Sequence, residues 1–213
     1  RALGDSPIEL GAQTISAGSG GAFTGEIWAR LVADAGGQWA QLGHWELRRH
    51  QDIADEVVNQ KGHQAVAAGL SIVLLIGEGR GKTGTKERMG AEQVRQALGQ
   101  QLSSVLAGCT AEQVRCFVFV YEPEWTIGIT KPAPPEHVQA GCLFIRRWLA
   151  THYGPDLSQQ VRLAYGRSVS ESYAQELLAL PELDGLGAAR KGRDPETFAG
   201  LVRLIAEARV AKG

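Results

Sequence analysis

Arg115-Cys116-Phe117-Val118-Phe119-Val120-Tyr121-Glu122-Pro123-Glu124-Trp125-Thr126-Ile127-Gly128 is the stretch on which the reading of this chain turns. A short, mostly apolar run, Arg115–Tyr121, stops at a carboxylate and a proline. Such a run suits a strand buried on both faces, as in a parallel sheet. Pro123 has no N–H to give to a ladder, so the strand ends there and the direction of Glu122 is fixed.

Five other runs of this kind lie along the chain: Ile8–Thr14, Trp39–Gly43, Ser71–Gly77, Val161–Tyr165 and Leu183–Gly187. Helical patterns separate them, over Ile27–Ala35, Asp52–Gly69, Lys86–Leu106, Glu136–His152, Ser170–Leu180 and Asp194–Ala208. The fourth puts Val138, Cys142, Ile145 and Leu149 on one face. The sixth opens Asp194-Pro195-Glu196, an N-cap, a proline at the first helical position and a first-turn acid. Strict alternation implies an α/β fold with a parallel sheet. No composition shift or linker divides residues 1–213, which read as a single domain. Ser16–Gly21 and Gly79–Gly84 read as flexible loops, and Thr130–Pro135 as a stiff one. Periodicity alone favours an open doubly wound sheet slightly, because an eight-stranded barrel does not close on six strands.

Composition narrows the function. The 213 residues carry 22 basic and 23 acidic side chains, a formal net charge of −1. No basic surplus points to nucleic acid or to an anionic membrane. Cys109, Cys116 and Cys142 are odd in number and lack metal-ligand spacing. They read as reduced, structural cysteines of a cytoplasmic protein. Ile72–Ile76, the most apolar stretch, is too short to cross a bilayer. The opening Arg-Ala-Leu-Gly-Asp lacks the apolar core of a signal peptide. Gly79-Arg80-Gly81-Lys82-Thr83 has a superficial likeness to a phosphate loop, without the first glycine at the needed spacing.

Polar residues stand where the strands end, which is where parallel α/β folds bind ligands. His44 and Glu46 follow the second strand, Glu78 the third and Glu122 the fourth. Gly166, Arg167 and Ser168 follow the fifth, and Ala189, Arg190 and Lys191 the sixth. One such residue is more often a solvated loop residue or half of a salt bridge. Five polar strand ends in register would all face one mouth. A partly desolvated carboxylate is a better base. A neutral histidine at a helix N-terminus polarises a carbonyl oxygen. The pair suits proton abstraction next to a carbonyl, and backbone N–H groups at glycine turns suit a phosphate.

These residues resemble the triosephosphate isomerase family. Gly21-Ala22-Phe23-Thr24-Gly25-Glu26 is similar to its third-loop motif, Leu42-Gly43-His44-Trp45-Glu46 to LGHSE, and Ile76-Gly77-Glu78 to IGE. Tyr121–Gly128 is similar to YEPVWAIG, Tyr165-Gly166-Arg167-Ser168-Val169 to YGGSV, and Asp184-Gly185 to the DG of the last strand. Order and spacing hold from about Ile8 to the C-terminus, and the combination outweighs the small preference for an open sheet. The resemblance implies a (β/α)8 TIM barrel, six of its eight units present, and an aldose–ketose isomerase working through an enediolate, as in glycolysis and gluconeogenesis. It implies Glu122 as the proton-shuttling base, His44 as the electrophile and Glu46 as a supporting carboxylate. Pro123, Glu124 and Trp125 become the hinge of a lid with its tip at Ile127–Lys131, Gly128 included. Gly166, Ser168, Ala189 and Arg190 hold the phosphate. Thr24, Gly25 and Glu26 dock into a second subunit of a homodimer. No cofactor, metal, nucleic acid or membrane is implied; the partner is a small phosphorylated sugar.

The chain also departs from the pattern. Trp45 stands where the family has serine, Leu47 where it has an arginine, and Gly166-Arg167 and Ala189-Arg190 where it has glycine pairs. A Cβ at a turn that touches phosphate through its backbone is a steric cost, which two arginines offset by charge-assisted bonds. The family's Asn-x-Lys motif does not occur before Gln13. Two further expectations follow. Arg167 and Arg190, turned inward, make room for a four-carbon ketose phosphate in preference to a triose phosphate. Roughly 30–50 residues precede Arg1, with two strands and the missing lysine. The alternative reading is a non-catalytic or degenerate barrel that binds an anionic ligand or a protein partner.

Overall fold

A computed structural model describes residues 6–79, 89–126, 132–166, 171–188 and 190–211. Six strands run parallel in the order of the chain: β1 Gly11–Ala12, β2 Trp39–Leu42, β3 Ser71–Ile76, β4 Phe117–Tyr121, β5 Arg162–Tyr165 and β6 Gly185–Leu186. The helices between them are α1 Ala29–Asp34, α2 Trp45–His50, α3 Asp55–Ala67, α4 Ala91–Val105, α5 Ala111–Val114, α6 Pro135–Tyr153, α7 Pro155–Gln160, α8 Glu171–Leu178 and α9 Pro195–Ala211. Every strand expected from the sequence forms, though the first pairs only over Gly11–Ala12 and the last over Gly185–Leu186. Three short helices, α2, α5 and α7, were not expected. At four to six residues each is too short to show a helical period.

The chain divides into two compact units, Arg1–Leu74 with Ser104–Phe117, and Leu75–Ser103 with Val118–Gly213. In the first, β2 pairs with β1 through Trp39 and Gly11, and with β3 through Ala40 and Ile72 and through Leu42 and Leu74. Ala40, Leu42, Ile72 and Leu74 are buried, and Val58 and Ala65 of α3 are buried with them. The Asn59 amide donates to the carbonyls of Val105 (3.0 Å) and Ala107 (2.9 Å). These bonds satisfy carbonyls at the end of α4 that have no partner within the helix.

In the second unit β5 lies between β4 and β6, with Phe119 opposite Leu163 and Tyr121 opposite Tyr165. All four side chains are fully buried, as are Val138, Cys142, Ile145 and Leu149, the face of α6 expected from its spacing. Arg146 on the same helix donates to the carbonyls of Ser158, Val161 (2.8 Å) and Glu182 (3.3 Å) and to Asp184 Oδ2 (2.5 Å). That guanidinium closes the turns around α7 and the start of β6. Asp194 caps α9 by accepting from the Thr197 N–H at 2.8 Å, as its Asp-Pro-Glu opening indicated.

Gly77 and Gly141 permit close approach in this unit. A methyl on Gly77 would fall 2.1 Å from the Glu122 carbonyl oxygen, and one on Gly141 would fall 2.4 Å from the Tyr121 ring. Gly141→Ala therefore forces α6 off the ring of Tyr121. The expected loss is about 1–3 kcal/mol, read as a lower denaturant midpoint; an unchanged midpoint contradicts this packing.

Candidate active site

In the first unit β2 ends at Leu42 and α2 begins at Trp45, so His44 is the residue that caps the helix. The backbone N–H of Glu46 donates to His44 Nδ1 at 3.3 Å. A ring nitrogen that accepts carries no proton, which places the proton of the neutral imidazole on Nε2. Burial pushes the His44 pKa down, and the Glu46 carboxylate, with Oε2 3.9 Å from Nδ1, pulls it part of the way back. Burial is the larger effect, so the ring stays neutral to lower pH than an exposed histidine. Arg48 holds the turn by donating from Nε to the Gly43 carbonyl at 2.8 Å and by pairing with Asp55. The Trp45 ring lies 5.9 Å from that of His44 and of His50, with the Arg49 guanidinium 5.5 Å over it. Trp45, the bulky departure from the family pattern, is thus packed beside the histidine.

In the second unit Glu122 leaves the end of β4 with 9% of its surface exposed. Its N–H donates to the Ile76 carbonyl at 2.8 Å, and the N–H of Glu124 donates to the Glu78 carbonyl at 3.0 Å. Thr126 closes a 3-10 turn, Glu124–Thr126, by donating its N–H (3.1 Å) and its hydroxyl (2.6 Å) to the Pro123 carbonyl. Gly166 follows β5 and donates its N–H to the Tyr121 carbonyl at 2.9 Å, which brings it beside Glu122.

Glu78 does not stand at a mouth, as its place after a strand suggested. It is fully buried. Its Oε2 accepts from the Tyr121 hydroxyl at 2.8 Å, and its Oε1 accepts from Trp125 Nε1 at 2.9 Å and lies 2.6 Å from His137 Nε2. Tyr121 is pushed well above its ordinary pKa, by burial first and by Glu78 second, so its hydroxyl remains a donor. His137 went unnoticed in the sequence, where it is one polar residue in the first turn of a long helix. Lys61 also went unnoticed. It is 7% exposed and donates from Nζ to Thr14 Oγ1 at 3.1 Å.

Of the remaining site expectations, Thr24, Gly25 and Glu26 form an exposed turn in the first unit, with Glu26 N–H donating to the Phe23 carbonyl at 3.1 Å. Gly128, Arg167, Ser168 and Ala189 lie outside the described residues, as do the lid tip and the side chain of Arg190. The Arg190 backbone opens a 3-10 turn, Arg190–Arg193.

The profile of the family described as "Triosephosphate isomerase" matches residues 1–205. The chain belongs to the triosephosphate isomerase family. The triosephosphate isomerase of Symbiobacterium thermophilum is 37% identical over 202 residues, 95% of this chain and 77% of that protein. Those of Carboxydothermus hydrogenoformans (36% over 202 residues, 95% and 78%) and Rhodopirellula baltica (34% over 202 residues, 95% and 77%) are similarly related. The strands and helices described above are six strand–helix units of the family's (β/α)8 fold.

The electrostatics of His44 give a direct test. Glu46→Gln removes a negative charge that favours the imidazolium, so the His44 titration midpoint, followed by NMR, moves further down. A midpoint that moves up contradicts the assigned balance.

Proposed function

We propose that this chain is an aldose–ketose isomerase of a small sugar phosphate, with Glu122 as the proton-transferring base, His44 as the electrophile and Glu46 as its supporting carboxylate. The observation that carries the reading is Glu122 itself, within the span matched to the triosephosphate isomerase family and nine-tenths buried between a strand end and the proline and 3-10 turn that follow it. A carboxylate so placed is short of water and fixed in direction, as a base acting on a C–H bond needs to be. His44 with its proton on Nε2 has an N–H to give to a developing oxyanion, while a neutral ring avoids stopping the reaction at a stable ion pair. This family is itself the standard worked example of that division of labour between a carboxylate and a neutral histidine.

The base removes the proton on the carbon beside the carbonyl. Electrons move into an enediolate, a proton passes from the substrate's hydroxyl oxygen to the former carbonyl oxygen by way of His44 Nε2, and the same carboxyl group returns a proton to the former carbonyl carbon, so no atom is gained or lost. Gly166, Ser168, Ala189 and Arg190 are proposed for the phosphate, and Gly128 for the segment that covers it. The exposed Thr24–Glu26 turn, flanked by Phe23 and Ile27 at 61% and 53% exposure, is proposed to seat against a second copy of the chain. A cytoplasmic location goes with this metabolic role; among the described residues no helix is long and apolar enough to cross a membrane.

Glu122→Asp withdraws the carboxylate from the substrate by one methylene. The expected outcome is a kcat for triose or tetrulose phosphate interconversion lower by about 10²–10⁴-fold, with KM little changed. A variant as fast as the parent removes Glu122 from the role of base.

A further inference from the structure

Glu122 is flanked by two residues whose side chains reach the same buried carboxylate. Tyr121 precedes it and bonds Glu78 Oε2, while Trp125 follows three residues later and bonds Glu78 Oε1. Trp has only an N–H to offer, and the buried Tyr121 hydroxyl stays protonated, so Glu78 accepts from both. A carboxylate with no exposed surface needs further donors, because a buried acceptor without partners is costly. His137 supplies the third, with Nε2 2.6 Å from Oε1 and 3.2 Å from the Tyr121 oxygen. Its ring is 5% exposed, lies nearly parallel to Tyr121 at 22° and meets Trp125 edge-on with ring centres 5.3 Å apart. The histidine is itself rigidly mounted, in the first turn of a nineteen-residue helix with Pro135 at its start and its own N–H on the Pro134 carbonyl at 2.9 Å.

We propose that His137 is a positioning residue for Glu122: from α6 it supplies the third hydrogen bond to the buried Glu78 carboxylate, and so holds the Tyr121–Trp125 segment on which Glu122 is carried. The inference rests on the reading of Glu122 as the base. Because Trp125 and His137 share Oε1, loss of the histidine N–H leaves that oxygen with one donor and frees the carboxylate to turn. The indole then loses its fixed partner, and the backbone between Tyr121 and Trp125 gains freedom at Glu122. The reacting carboxylate is displaced while the substrate's other contacts are unaffected, so the effect falls on kcat more than on KM.

The test compares His137→Leu, which keeps bulk without a donor, with His137→Gln, which keeps an N–H. Two quantities are read on the full chain: solvent exchange of the Trp125 indole N–H by NMR, and kcat and KM for glyceraldehyde 3-phosphate. The Leu variant is expected to exchange at least roughly tenfold faster, as local opening demands, and to lose on the order of 10–100-fold in kcat at similar KM. The Gln variant is expected to recover both to within about threefold of the parent. If the Leu variant does not fold, His137→Asn, whose shorter amide falls away from Oε1, carries the same expectation. Parent-like exchange and kcat in the Leu variant overturn the proposal, and so does a loss that Gln fails to recover. If the parent turns over no triose or tetrulose phosphate, the reading of Glu122 as a base fails instead. The exchange measurement still decides separately whether His137 holds the segment.

Discussion

One buried carboxylate joins three distant parts of the chain. Glu78 stands two residues beyond β3, Tyr121 and Trp125 bracket the end of β4, and His137 lies in the first turn of α6. Burying the acceptor is costly on its own, so the arrangement holds only with its donors in place. That requirement fixes the chain on either side of Glu122, because a hydrogen bond specifies direction as well as distance. The glycines agree with it. Gly77 lets the extension of β3 lie against the Glu122 carbonyl, and Gly141 lets α6 lie against the Tyr121 ring. The base proposed here is thus positioned by residues that are themselves buried.

The histidine is arranged by a different device. His44 caps α2 with its own side chain, and the Glu46 N–H that it accepts selects the tautomer. Burial and a nearby carboxylate act on its pKa in opposite directions, and burial prevails. Trp45 is the particular feature of this chain. A large ring beside the imidazole, itself held by His50 and Arg49, replaces a small polar residue of the family motif.

The strands were legible because side chains that are buried or half-buried throughout leave an uninterrupted apolar run, as in Phe117–Tyr121 and from Ile72 to Ile76. The long helices were legible from faces such as Val138, Cys142, Ile145 and Leu149, all fully buried. The short helices were not, since α5 rests on the Thr110–Gln113 capping box rather than on a repeating pattern. Position after a strand correctly marked His44 and Glu122 as residues at strand ends, yet the same cue misplaced Glu78. A polar strand end turns outward or inward according to the donors it meets, and those donors come from 43 and 59 residues away in the chain. His137 was illegible for the same reason: nothing local distinguishes a helix-surface histidine from one whose ring is driven into a buried carboxylate.

The central claim is that the reaction moves a proton through a carboxylate base, and does not pass a hydride directly from carbon to carbon. Isomerisation of dihydroxyacetone phosphate in deuterium oxide separates the two most directly. Transfer through Glu122 exposes the proton to exchange with solvent, so the glyceraldehyde 3-phosphate formed should carry deuterium at the carbon that receives it. Product formed at the full rate with protium completely retained there would contradict the account.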